Sequence, residues 1–255
     1  MMALPRAAAR FTLHFLLPLR CVSCTSPVGT PDSLCADCWQ KISFIEKPWC
    51  QRLGTPFAYD VGEGSWSPQA IASPPIFDRL RSVAFYEGPA RDLVIALKFF
   101  RQRELAKPMG RWMSRAGSEL LKEDSLIVPV PLHWLRLLSR RFNQSADLAR
   151  VIAKECGGQF EPELLKRRKK TRRQVGLSAK ARQKNVRSAF SVDQTRSGQI
   201  QGRHVVLIDD VITTGSTIAA CSKTLLSAGA ASVDVLTFAY ADTSNHAGAS
   251  TSGKP

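Results

Sequence analysis

Val205-Val206-Leu207-Ile208-Asp209-Asp210-Val211-Ile212-Thr213-Thr214-Gly215-Ser216-Thr217 dictates the architecture of this chain. Its first four residues form an unbroken aliphatic run, the pattern of a strand buried on both faces. Two adjacent carboxylates end that run. A turn of small hydroxyl residues with one glycine follows, then a helical pattern over Ser216–Ser227 that Gly229 closes. Open α/β sheets bind ligands at the carboxyl ends of their strands. A helix N-terminus offers unpaired N–H groups and a partial positive charge, which suit a phosphate. Gly215 lets the backbone approach an oxygen closely, and Thr213, Thr214, Ser216 and Thr217 add hydroxyl donors. Asp209 and Asp210 would repel a phosphate. They suit donors instead, and two neighbouring sugar hydroxyls fit them.

Outward from this stretch, strands and helices alternate. Ser232–Tyr240 reads as the next strand, which makes a right-handed strand–helix–strand unit with parallel strands. Upstream, Arg81–Tyr86 reads as a strand, and Ala90–Phe99 and Leu105–Leu121 as helices, with Pro108 and Gly110 expected to loosen the second. Ser125–Val130 is a short apolar strand. Asn143 caps a helix running to about Glu155, which Gly157-Gly158 ends. The fold class is therefore α/β, a parallel-stranded sheet flanked by helices. The expected organisation is a cysteine-rich module over residues 1–58, a Gly/Ser/Pro-rich linker over 59–77, the α/β domain over 78–241 and a disordered tail over 242–255.

The chain of 255 residues carries a formal net charge of +15 and a pI near 9.9, which favours polyanionic partners. The charge is uneven: from His133 to Arg187 there are sixteen Lys or Arg against four acids. This stretch reads either as a solvated basic face or as an anion-binding surface. Trp134 and Phe142 lie within it and could pair base stacking with phosphate contacts. No run of about 18 apolar residues is present, so no membrane-spanning helix is expected. The short run Phe11–Leu19 is broken by His14 and Pro18 and lacks a signal-peptide cleavage pattern. It reads as an amphipathic helix, and a cytoplasmic location is expected.

Cys21-x-x-Cys24 and Cys35-x-x-Cys38 form two knuckles able to set four thiolates tetrahedrally around one Zn²⁺. A redox pair or disulfides are the alternatives. Four cysteine ligands leave no open position, so such a zinc would be structural. Cys50 is left over, and Cys156 and Cys221 read as core residues.

The thirteen-residue stretch resembles the PRPP signature of type I phosphoribosyltransferases. The resemblance implies that Asp209 and Asp210 hold the ribose hydroxyls of PRPP, bound with Mg²⁺, and act as the catalytic carboxylates. It also implies that Val211 and Thr213, Thr214, Gly215, Ser216 and Thr217 line the 5′-phosphate. With Cys21–Cys38, Ile95-Ala-Leu-Lys98-Phe99, Val128-Pro-Val-Pro-Leu-His133, Arg140-Arg-Phe-Asn-Gln144 and the run from Thr171 to Phe190, the chain resembles the ComF/GntX family, a zinc ribbon joined to a phosphoribosyltransferase-like domain. By that resemblance His133, Arg136, Arg140 and Arg141 fall at the pyrophosphate loop, although a lone histidine is more often a surface or capping residue. Thr171, Gln174, Arg182 and Asn185 fall on the loop that covers PRPP in related enzymes, or on a plain solvent-facing basic loop. The family often carries a double ribbon. Here Leu53 stands where a partner of Cys50 would be, and Ser67 and Ala70 fall about where the last pair would be, so a second zinc is not expected. The resemblance leaves two roles open. One is transfer of phosphoribosyl to an unidentified acceptor. The other is a non-catalytic, PRPP-sensing factor that binds single-stranded DNA during uptake in natural competence, with competence-machinery proteins as partners.

Overall fold

A computed structural model describes residues 19–100, 102–132, 142–167 and 189–241. Five parallel strands make the sheet: β1 (Leu80–Phe85), β2 (Leu126–Pro129), β3 (Gln159–Phe160), β6 (His204–Ile212) and β7 (Ser232–Tyr240), in the order β1-β7-β6-β2-β3. A separate antiparallel pair joins β4 (Leu165–Arg167) to β5 (Phe190–Val192). The helices are α1 (Ala36–Gln40), α2 (Pro68–Ala72), α3 (Gly88–Phe99), α4 (Ala106–Ala116), α5 (Gln144–Cys156) and α6 (Ser216–Ser227).

β7 is buried at every position but its two ends, as a central parallel strand must be when helices cover both faces. Alternate residues feed two cores. Val206, Ile208, Leu236 and Phe238 pack with α3, α4 and α5, whereas Val205, Leu207, Val233 and Val235 pack with α6 through Ile218, Cys221 and Leu225. Cys221 is thus a core residue, and Cys156 is half-buried against the first core.

Two expectations need correction. The second helix is regular over Ala106–Ala116, with short 3₁₀ turns on either side. Pro108 falls in its first turn, where a backbone N–H has no intrahelical partner to lose. The second correction concerns β6, which continues past Ile208 to Ile212 because β7 keeps pairing with it, Asp209 opposite Thr237 and Val211 opposite Ala239. The acidic pair therefore lies inside the strand. Adjacent strand residues point opposite ways, so the two carboxylates meet different partners.

At the amino-terminal end of the strands a polar network crosses four of them. Arg79 donates to both oxygens of Asp234, at 3.2 and 2.6 Å. His204 Nε2 lies 3.0 Å from Asp234 Oδ2, and its Nδ1 lies 2.9 Å from Ser125 Oγ. Ser–His–Asp geometry invites a catalytic reading, but Ser125 is fully buried and its hydroxyl accepts from Lys122 N–H. The network pins strand ends. Burial pushes the Asp234 carboxyl up, yet the hydrogen bonds from His204 and Arg79 outweigh it and hold the group below the usual range. Its stabilisation is present above the unfolded carboxylate pKa, about 3.9, and is lost as pH falls through the lower folded value. Asp234→Asn should cost about 2–4 kcal/mol at pH 7 in chemical denaturation, and the deficit should shrink as the pH drops below 4.

Candidate functional site

The carboxyl end of the sheet holds the acidic pair and the turn. Ser145, at the start of α5, donates to Asp209 Oδ1 at 2.9 Å, and the Asp210 amide donates to the same oxygen at 2.9 Å. Lys98, in the last turn of α3, puts Nζ 2.7 Å from Asp210 Oδ1. Among the described residues, no donor reaches Oδ2 of either carboxylate. Burial, and then the charge of Asp210, push the Asp209 carboxyl up to about 7, and the Ser145 and Asp210 hydrogen bonds and Lys98 offset only part of that. Acids held this far above their ordinary value are concentrated at functional sites.

Asn143 caps α5 as expected, its side chain accepting from the Ser145 amide at 3.2 Å and donating to Val130 O at 3.1 Å. That double grip ties the α5 terminus to the end of β2 and sets Ser145 against Asp209.

Thr213, Thr214 and Ser216 are exposed, Gly215 and Thr217 are half-exposed, and Val211 is half-buried in β6. Gly215 has φ +70°, and a Cβ there would meet nothing closer than Ile212 Cδ1 at 3.7 Å. The constraint is thus conformational: the turn needs the left-handed region that glycine enters freely. Thr214 Oγ1 and Ser216 Oγ lie 3.0 Å apart. Among the described residues, the amides of Thr213, Thr214, Gly215, Ser216 and Thr217 have no hydrogen-bond acceptor. Five N–H groups around the N-terminus of a twelve-residue helix make a nest for an anion.

The structure thus brings together Asp209, Asp210, Val211, Thr213, Thr214, Gly215, Ser216 and Thr217. It adds Lys98 and Ser145, to which sequence reasoning gave no role. His133, Arg136, Arg140, Arg141, Thr171, Gln174, Arg182 and Asn185 lie outside the described residues, as does Trp134. Phe142 is no base-stacking platform: it is buried, with the Arg103 guanidinium 5.4 Å from its ring centroid.

In the cysteine module, the Sγ atoms of Cys21, Cys24, Cys35 and Cys38 all lie within 4.8 Å of one another. Ligands at about 2.3 Å from a tetrahedral zinc stand about 3.8 Å apart, so the cluster fits one closed, structural ion. The Cys35 amide donates to Cys21 Sγ at 3.3 Å, and Ser23 Oγ reaches Asp92 of α3 at 2.6 Å.

A ribbon module thus abuts a phosphoribosyltransferase-type domain, and comparison with known proteins agrees. A double zinc ribbon domain family matches residues 12–69, and a phosphoribosyl transferase domain family matches residues 144–249. The DNA utilization protein YhgH of Escherichia coli is 33% identical over 228 residues, 86% of this chain and 96% of the relative. Competence protein F of Haemophilus influenzae is 29% identical over 222 residues, 85% of this chain and 94% of the relative. Among solved structures, a glutamine PRPP amidotransferase from B. subtilis matches 56% of this chain and 30% of its own at 21% identity, with a TM-score of 0.39. The chain belongs to the ComF family. Among the described residues, no helix is long and apolar enough to cross a membrane.

The folded protein holds the Asp209 proton to a higher pH than the unfolded chain does. Because the folded value lies above the unfolded one, the folded state gains by holding that proton, and its stability falls as pH rises through 7. Asp209→Asn should therefore raise the melting temperature most at pH 8, by less at pH 5 and not at all below about pH 4, the unfolded carboxylate pKa, as read by thermal unfolding in the absence of ligand.

Proposed function

We propose that this chain binds PRPP as its Mg²⁺ complex at the carboxyl end of β6 and supports displacement of pyrophosphate at ribose C1. The carrying observation is the pairing of two unused carboxylate oxygens, Oδ2 of Asp209 and Asp210, with the open amides of Thr213–Thr217 a few residues on. The two oxygens accept from the ribose hydroxyls, and the nest takes the 5′-phosphate. Mg²⁺ supplies charge neutralisation on the diphosphate when bound. Lys98 orients Asp210 through its 2.7 Å ion pair. A carboxylate pair beneath the sugar also favours the positive charge that grows on the ribose as the leaving group departs.

Calorimetry with PRPP and MgCl₂ tests this. Wild type should bind, and the double variant Asp209→Asn/Asp210→Asn should lose about 100-fold or more, as two charge-assisted hydrogen bonds of about 1.5–3 kcal/mol each require. Equal binding by both proteins would overturn the assignment.

A second reading, single-stranded DNA binding, draws support from the relatives' names and from a groove of ≈ 550 Å³ between the ribbon and α4. Trp39, Trp49 and Trp112 line it with Lys47, Arg115, Glu46 and Glu119. Trp39 is 44% exposed and meets Trp112 edge-on at 4.7 Å, which leaves it an aromatic surface on which bases can stack. With a labelled oligonucleotide in fluorescence anisotropy, Trp39→Ala should weaken binding about 5- to 100-fold, in line with about 1–3 kcal/mol per stacked base. Unchanged affinity would exclude this groove.

A further inference from the structure

The outer face of α4 carries cations at a fixed interval. Arg103 sits in the 3₁₀ turn that leads into the helix, and Lys107, Arg111 and Arg115 follow at steps of four residues, all exposed. Residues four apart are neighbours on a helix surface, with a rise of about 6 Å per step. The four side chains therefore form one track, about 18 Å from end to end. α4 itself contains no acid. Like charges at this spacing repel and weaken the helix that carries them.

α5 answers half of that repulsion. Arg103 donates to both oxygens of Asp147, at 2.9 and 2.6 Å, and Arg111 lies 3.2 Å from Glu155. Among the described residues, neither Lys107 nor Arg115 has a carboxylate partner. Exposed ion pairs are weak, so Arg103 and Arg111 can exchange a carboxylate for a phosphate.

The track ends at the aromatic groove, where Arg115 lines the wall with Trp39, Trp49 and Trp112. Trp112 stands one turn before Arg115 on α4 and stacks on Phe238 of β7 with ring centroids 6.0 Å apart, so the core fixes that wall. A polymer that fits both features needs regularly spaced anions and a flat ring for each of them. Single-stranded nucleic acid has both. A duplex keeps its base faces stacked on one another, and an acidic peptide has no rings to offer.

We infer that a single strand of nucleic acid lays its phosphates along Arg103, Lys107, Arg111 and Arg115 and turns a base into the groove onto Trp39. This rests on the groove reading above and gives the strand a course across the α/β domain.

The test is the salt dependence of oligothymidylate binding to the full chain, read by fluorescence anisotropy. For single strands, log K falls with log salt by about 0.7 per neutralised phosphate. The K107Q/R115Q variant should therefore flatten the slope by about 1.4, and its exposed positions leave the core intact. As a control, K122Q/K223Q removes two exposed cations outside α4 and should keep the wild-type slope. W39A should weaken binding at an unchanged slope, because stacking releases no counterions. A wild-type slope in K107Q/R115Q beside a weakened W39A would remove the track and leave the groove. Equal flattening by the control would also overturn the track. No binding by wild type at about 50 mM salt would remove both. Poly-glutamate of equal charge should compete poorly, and displacement as efficient as that by unlabelled oligonucleotide would overturn the assignment to nucleic acid.

Discussion

Two carboxylates side by side within a parallel strand repel one another and lose hydration, and the domain is arranged to hold them there. Lys98 reaches Asp210 from the end of α3, and Ser145 reaches Asp209 from the start of α5. Both helices pack on the face formed by Val206 and Ile208. The burden is not fully relieved, since Asp209 still carries a proton affinity near neutrality. Residual cost of this kind is concentrated at functional sites, which is why the proposed ligand is placed there. The ribbon joins the same framework, because Asp92 of α3 holds Ser23 of the zinc knuckle while Lys98 of the same helix holds Asp210.

The two ends of the sheet make the contrast plain. At the amino-terminal end, Arg79, Asp234, His204 and Ser125 satisfy one another in a closed chain. At the carboxyl end, the amides of Thr213–Thr217 and Oδ2 of Asp209 and Asp210 have no protein partner among the described residues. Buried polar groups are normally paired, so the two ends of the sheet differ in what their polar groups leave open. In the ribbon, the four cysteines of the first lobe are suited to a metal ion, while the Cys50 segment is tied to β1, where Leu80 N–H donates to Arg52 O and the Arg81 side chain to Gln51 O.

Much of this was legible in the sequence. The aliphatic run, the hydroxyl-rich turn and the helix after it carry local signals, and Asn143, Gly215 and the two Cys-x-x-Cys knuckles sit where those signals place them. The end of β6 was misread because aspartates look like strand terminators when only neighbours in sequence are considered. The β7 ladder and the partners of Asp209 and Asp210 carry the strand through. Lys98 and Ser145 had no readable role, since each acts on a residue far along the chain, and spacing says nothing about such pairs. The degenerate second ribbon was legible from the positions of Cys50, Leu53, Ser67 and Ala70, whereas the backbone hydrogen bonds that hold it leave no trace in residue type.

The central claim is geometric, and a crystal structure of the protein with PRPP and Mg²⁺ tests it most directly. The account predicts the 5′-phosphate within hydrogen-bond distance of the amides of Thr213–Thr217 and the ribose hydroxyls on Oδ2 of Asp209 and Asp210. A ligand bound elsewhere, or those carboxylates still facing only Lys98 and Ser145 at saturating PRPP, would contradict it.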